Sequence, residues 1–304
     1  MRCVSGVPWG ETMKTVLVTG ATGNVGREVV KALKEQQVRV VAAVTEIDKV
    51  EPHLFPDTER IRFMFGDETS YGPAFQGVDA VFLLRPPQIS DAKHLINPAV
   101  DAMKDAGVRA VTFLSVQGAE RNPLVPHHAI EQHLERSGLE YTFLRSAFFM
   151  QNLSTIQRDD IRLYDDIMVP AGSGKTAFVD VRDLAAVAAL TLTGAGHARQ
   201  AYELTSDEAL TYDEVARILS EVLGRTIRYS HPNVVQFWER MHARHQPVGF
   251  VLVMTALYAV AALGLAGHLS GDTRRLLGRA PITFRQFAQD YTQVWTSVPV
   301  SASS

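Results

Sequence analysis

The chain has 304 residues, 46% hydrophobic and 21% charged, enough to bury one large core or two linked ones. A formal net charge of −3 and a pI near 6.4 exclude the strongly basic surface that draws a protein to nucleic acid or anionic lipid. A single cysteine, Cys3, excludes an internal disulfide and a cysteine-rich metal site, which points to a reducing, cytoplasmic compartment.

Residues 1–12 lack the apolar run of a secretory signal and are expected to be a disordered leader, with Met13 as an alternative start. From Lys14 onward, short β-branched runs alternate with amphipathic stretches, the pattern of a parallel sheet flanked by helices. Strands are predicted at Thr15–Thr19, Val38–Val44, Ile61–Phe65, Ala80–Leu84, Ala110–Ser115 and Tyr141–Leu144. Helices are predicted at Val25–Gln36, Asp91–Ala106 and His127–Ser137, with Gly107 and Gly138 ending the last two. After Arg145 the alternation weakens. Helices near Arg182–Leu192 and Tyr212–Leu223 mix with short strands at Phe178–Val181, Ala201–Leu204 and Ile227–Tyr229, which either extend the main sheet or cap it. Pro247 to Gly267 carries no charge and reaches the length of a minimal membrane span, about 20 residues. Its many Ala and Gly residues and its single occurrence favour a buried helix over an integral membrane segment. The fold class expected is α/β: a doubly wound parallel sheet over residues 13–150 and a smaller, mainly helical substrate lobe over 151–304, with a soft boundary near Gln151.

The first strand runs straight into Gly20, Ala21, Thr22, Gly23, Asn24, Val25 and Gly26 and then into an amphipathic helix. Gly20 supplies backbone angles closed to other residues, Gly23 lets the main chain approach a pyrophosphate, and Gly26 lets helix and strand pack closely. A phosphate there faces free N–H groups and the positive end of the helix dipole, so the loop needs no Lys or Arg. This is the dinucleotide-binding turn of a Rossmann-type domain. At the end of the second strand an acidic residue selects NAD and a basic one NADP. Here Thr45 is followed by Glu46 and, further on, Lys49, a pattern that leans only slightly toward NADP.

The glycine turn, then GDETSYGPAFQGVDAVFLLRPP, AGVRAVTFLSVQG, HHAIEQHLERSGLEYTFLRSAFFMQNL, FVDVRDLAAVA and LLGRAPITFRQFAQDY, resembles the NmrA-like branch of the atypical short-chain dehydrogenases/reductases. The resemblance runs from Lys14 to Trp295. Members of that branch include NAD(P)H-dependent quinone reductases, other small-molecule reductases, and dinucleotide-sensing regulators. The resemblance implies that Asp67 lies beside the adenine and that Leu84, Arg85 and Pro86 lie along the nicotinamide-ribose side. Capping the following segment is the alternative role for Asp67, and a surface ion pair that for Arg85. The resemblance also implies that Ser115 to Gly118, including Gln117, and Ser146 to Phe149 line the reactive end.

One departure stands out. Where active short-chain dehydrogenases carry a tyrosine four residues before a lysine, this chain has Leu124 and His128. Leu124 cannot protonate a developing alkoxide, so alcohol dehydrogenation is disfavoured. His128 is the candidate catalytic group: it can exchange a proton near neutrality or hydrogen-bond a ribose hydroxyl, the alternative being a helix cap beside His127. Hydride transfer to a quinone or other conjugated acceptor asks less, because the acceptor delocalises charge and solvent completes protonation. Phe149, Met150, Phe237, Trp238 and Tyr258 are candidates for an apolar wall of the acceptor pocket, with ordinary core packing as the alternative. The expected activity is therefore NAD(P)H-dependent reduction of a small aromatic or quinone-like acceptor. The rival is a non-catalytic NAD(P) sensor acting through a protein partner. His231, His242 and His245 lack a carboxylate or thiolate partner at metal-site spacing, and no nucleophile elbow surrounds Ser115, so neither a metal site nor a hydrolase triad is expected.

Overall fold

The structure, a computed structural model, describes residues 13–296; the proposed leader and Cys3 lie outside them. The strands are β1 (Thr15–Val18), β2 (Arg39–Val44), β3 (Glu59–Arg62), β4 (Ala80–Leu84), β5 (Ala110–Val116), β6 (Glu140–Ser146), β7 (Phe148–Phe149), β8 (Asp166–Ile167), β9 (Thr176–Val179), β10 (Gln200–Leu204), β11 (Ala209–Leu210) and β12 (Arg228–Tyr229). The α-helices are α1 (Asn24–Lys34), α2 (Tyr71–Phe75), α3 (Ala92–Leu95), α4 (Asn97–Asp105), α5 (Pro126–Ser137), α6 (Arg158–Tyr164), α7 (Val181–Thr193), α8 (Tyr212–Leu223), α9 (Val234–Ala243), α10 (Val248–Ala262), α11 (Asp272–Leu277), α12 (Phe284–Asp290) and α13 (Thr292–Thr296).

Seven strands form the central sheet in the order β10-β6-β5-β4-β1-β2-β3, all parallel. The innermost strands read as unbroken apolar runs because helices cover both faces, and Val16, Leu17 and Val18 are fully buried. On one face, α1 and α7 bury Val29, Leu33, Leu184 and Ala188 against Val16, Val18 and Phe82. On the other, α2, α4 and α5 bury Phe75, Val100, Met103 and Leu134 against Leu17, Val81 and Phe113. The strand order reverses between β1 and β4, and in open α/β sheets the crevice at such a switch point, outside the strands' C-terminal ends, takes the ligand.

The sheet therefore has the doubly wound Rossmann-like architecture that the pattern implies. The single helix expected over Asp91–Ala106 is two, divided at Ile96. Pro98 lacks the N–H for a continuous helix and its ring would strike the preceding turn, so it begins a new helix at α4. The strand predicted at Ala201–Leu204 is β10, which pairs with β6 along its whole length. The chain thus returns to the main sheet after Gln151.

The remaining elements enclose a second core in which Tyr212, Phe237, Tyr258, Phe284, Phe287 and Trp295 pack together. Two small sheets, β7-β9-β11 and β8-β12, accompany it, and β9 links it to the main core through Val179. Pro247 to Gly267 is not buried wholesale as expected. Helix α10 buries Val251, Met254, Tyr258 and Ala261, while its opposite face is exposed. No helix of the described residues is long and apolar enough to cross a membrane. The turn at Gly172 to Gly174 receives the end of α10: a Cβ on Gly174 would fall 1.9 Å from the Ala261 carbonyl oxygen.

Candidate cofactor and acceptor site

The glycine turn leaves β1 at Thr19, whose fully buried hydroxyl donates to the Phe82 carbonyl (3.0 Å) and accepts from the Leu84 amide (2.8 Å). This brace, which no spacing rule singled out, locks the ends of β1 and β4 on either side of the switch point. Gly20 takes φ +62°, where a side chain would be strained and would press on Leu84. The Gly23 amide closes the turn on the Gly20 carbonyl at 3.0 Å. A Cβ on Gly26 would lie 2.2 Å from that carbonyl oxygen, so only glycine lets α1 sit this close. Gly23 is exposed, and a Cβ there would meet only the Gly20 oxygen, at 3.3 Å. Helix α1 starts with no side-chain cap and no acidic residue in its first turn. An exposed cradle of main chain at an uncapped helix start fits a pyrophosphate. Thr22 and Asn24 are exposed around it, whereas the Val25 side chain is buried, leaving its backbone N–H as its contribution.

Thr45 is exposed just past β2, and the Glu46 carboxylate accepts from the Lys49 ammonium at 2.8 Å. Asp67 accepts from the Thr69 amide (3.2 Å) and hydroxyl (2.6 Å) and pairs with Arg62 (2.7 Å). The Thr69 hydrogen bond, then Arg62, holds its carboxyl below the usual range. Asp67 does cap the segment that follows.

Arg85, at the end of β4, makes no surface ion pair among the described residues. It is half-buried and donates to the carbonyls of Pro86 (2.9 Å) and Ile89, gathering the loop after β4. Its Nε also donates to His127 Nε2 at 3.5 Å. Burial, then the Arg85 charge, pushes His127 down to about 3, so it is a neutral ring. His128 stands apart from this pair: its Nδ1 donates to the Ala119 carbonyl at 2.8 Å, which leaves Nε2 as the ring's remaining polar atom. Leu124 is 90% exposed in the loop before α5.

Ser115 does not line the cleft. It is fully buried, and its hydroxyl donates to Glu131 at 2.6 Å. Glu131, 3% exposed, also receives Arg145 through Nε (3.1 Å) and Nη2 (2.7 Å), and Arg145 reaches Glu120 at 3.4 Å. Burial works against the Arg145 charge, but Glu131 and Glu120 overcome it and raise its pKa. This network, missed in the sequence, clamps α5 and therefore His128 onto β5 and β6. Its signal was a Glu on the helix face that carries Ile130 and Leu134.

Gln117 is half-buried beyond β5 and donates to Glu203 at 3.2 Å and to the His268 carbonyl at 3.4 Å. The segment after α10 is therefore tied over the ends of β5 and β10, helped by Asp272 accepting from the Glu203 amide at 3.0 Å. Phe148 and Phe149, consecutive on β7, are half-buried on opposite sides: Phe149 packs against the core under α1 and α7, and Phe148 against the second core beside Tyr258. Met150 and Tyr258, proposed as pocket wall, are core instead: Met150 is fully buried, and Tyr258 accepts from Gln157 at 3.0 Å among Tyr212 and Phe237. Phe237 is fully buried as well, and Trp238 donates from its ring N–H to Thr255 at 3.0 Å. Of the aromatic wall, Phe149 remains.

Residues 12–265 match the NmrA-like family. The NAD(P)H azoreductase of Xenophilus azovorans is 31% identical over 278 residues, spanning 90% of this chain and 96% of that protein. The Citrobacter triphenylmethane reductase, solved with NADP(H), superposes with a TM-score of 0.80 at 27% identity, covering 91% of this chain and 99% of that one. The NADPH-dependent quinone oxidoreductase QOR2 of Escherichia coli, solved with NADPH, gives 0.81 at 25% identity over 90% and 99%. With the sheet, the glycine cradle and these likenesses in agreement, the chain is a member of the NmrA-like family.

Proposed function

We propose that this chain is an NAD(P)H-dependent reductase that passes a hydride to a small, flat, conjugated acceptor of quinone or dye type. The observation that carries the reading is the cradle at Gly20, Gly23 and Gly26, opening at the β1/β4 switch point toward the ends of β4, β5 and β6. Its relatives named for azo, triphenylmethane and quinone reduction share acceptors of this kind.

The cradle residues and the N–H groups of α1 hold the cofactor's pyrophosphate, and Thr45 and Asp67 lie toward its adenosine. Arg85, Pro86 and Leu84 border its nicotinamide end. NADPH is the preferred form, because the acidic group after β2, Glu46, is already paired with Lys49 and leaves Thr45 to meet a 2′-phosphate. The reduced nicotinamide supplies the hydride when bound.

The protein's own part is positional. Phe149 offers apolar surface to a flat acceptor, Gln117 and the segment tied to it restrict water, and His128 holds a proton donor or acceptor at Nε2. Leu124 provides no acid, so a charge-delocalising acceptor is required. Residues 13–150 carry the cofactor half and the later segments cover the acceptor. A reducing, cytoplasmic setting agrees with a single cysteine.

Stopped-flow absorbance of the reduced nicotinamide, with NADPH and then NADH against naphthoquinones and azo dyes, tests the proposal. Saturable oxidation that depends on the acceptor and weakens in His128→Ala is expected. Tight NADPH binding with no turnover of any acceptor points to a sensor instead.

A further inference from the structure

We infer that the outward face of α10 is a two-fold interface at which a second copy of this chain docks, helix against helix and antiparallel. The helix has two apolar seams. Val251, Met254, Tyr258 and Ala261 form the inner one and are buried. Gly249, Val253, Ala256, Val260 and Leu263 form the other at alternating spacings of four and three, and all five are exposed. A helix that is apolar all round belongs in an interior, and spacings of four and three are those of a seam that packs knobs into holes on another helix.

The size of the face fits that partner. The Val and Leu side chains outside the inner seam, with Leu263 and Leu265 just past the helix end, are 39% to 73% exposed. Together they offer on the order of 600 Å² of apolar surface, near the upper range for the largest patch on a monomer and close to the roughly 800 Å² per partner of a standard interface.

The chemistry selects a second copy. A two-fold interface needs one patch to be complementary to itself, and Pro247 to Gly267 contains no charge that would repel its own image. The same lack of Lys and Arg removes the attraction by which an interfacial helix engages anionic lipid. Antiparallel pairing follows from the grading of the seam, small at Gly249 and large at Leu263. It sets Leu263 of one protomer against Gly249 of its partner, whereas parallel pairing would oppose two glycines and leave a void. Ala256 then lies next to the two-fold axis.

Sedimentation velocity of the full chain over a dilution series, beside Val253→Glu and Val260→Glu, is the test. A concentration-dependent dimer is expected, with a dissociation constant raised by about a hundredfold or more in either variant, because each buries an unpaired carboxylate against the partner's apolar seam. Circular dichroism, melting of the diluted protein and NADPH affinity should match wild type, since both positions are exposed. Independently, Ala256→Cys with Cys3→Ser should oxidise to a disulfide-linked dimer, and Lys31→Cys on exposed α1 should not. A wild-type protein that stays monomeric throughout, whether or not it binds phosphatidylcholine vesicles, overturns the inference. So does a dimer that both glutamates leave intact.

Discussion

Gly23 and Gly26 lie in one turn, yet substituting them should separate binding from folding. At Gly26 an added Cβ falls 2.2 Å from the Gly20 oxygen and 2.7 Å from the Ala21 Cα, both backbone, so Gly26→Ala has to lift α1 off the turn. Overpacking of this kind costs about 3 kcal/mol. At Gly23 the backbone, φ −80° and ψ 170°, is open to any residue, and the nearest atom is 3.3 Å away. Gly23→Ala should therefore change stability by about 1 kcal/mol or less. Its methyl group, however, stands on the exposed lip that a pyrophosphate must approach. Loss of one charge-assisted hydrogen bond, about 1.5–3 kcal/mol, raises Kd for NADPH by roughly tenfold to a hundredfold. Urea unfolding followed by circular dichroism reads the first quantity, and quenching or enhancement of NADPH fluorescence the second. A Gly23→Ala protein that folds and binds NADPH as tightly as wild type would refute the placement of the pyrophosphate. An undestabilised Gly26→Ala would refute the close-packing argument.

Other expectations follow from the braces around the site. Thr19→Val keeps the shape but strands the half-buried Leu84 amide, and should lower the free energy of urea unfolding by about 1 kcal/mol or more. Glu131→Ala leaves Arg145 and Ser115 without their shared partner; a loss of about 3 kcal/mol is expected, with slower acceptor reduction because α5 carries His128. For His127, a folded pKa of about 3 lies below the ordinary 6.5, so protonation favours the unfolded chain. The stability of neutral His127 is complete above pH 6.5 and is lost progressively as pH falls toward about 3. His127→Phe, packed near Phe113, should flatten the stability–pH curve in that window by about one proton, and equal slopes in the two proteins would show that His127 is not buried neutral.

Local pattern was enough for the parallel sheet, because strands buried on both faces must be apolar runs and their crossovers must be amphipathic. It was enough for the glycine turn too, since Gly20, Gly23 and Gly26 meet steric limits set within a few residues of one another. The break at Pro98 is equally local: a proline that cannot continue a helix divides the periodic stretch Asp91–Ala106 whatever packs against it. Pairings across long sequence separations were different. Ser115 reads as a cleft residue until Glu131 is found behind it, and Tyr258 reads as a pocket wall until Gln157, Tyr212 and Phe237 surround it.

The sequence by itself determined the alternation of strands and crossovers up to β6, the cofactor turn and the missing tyrosine acid, because each depends on residue type at short spacing. The tertiary structure alone decided which polar groups are consumed as braces and which face of α10 is left bare. Those outcomes depend on what distant segments bring into contact, and hydrophobicity along α10 is nearly the same on every side.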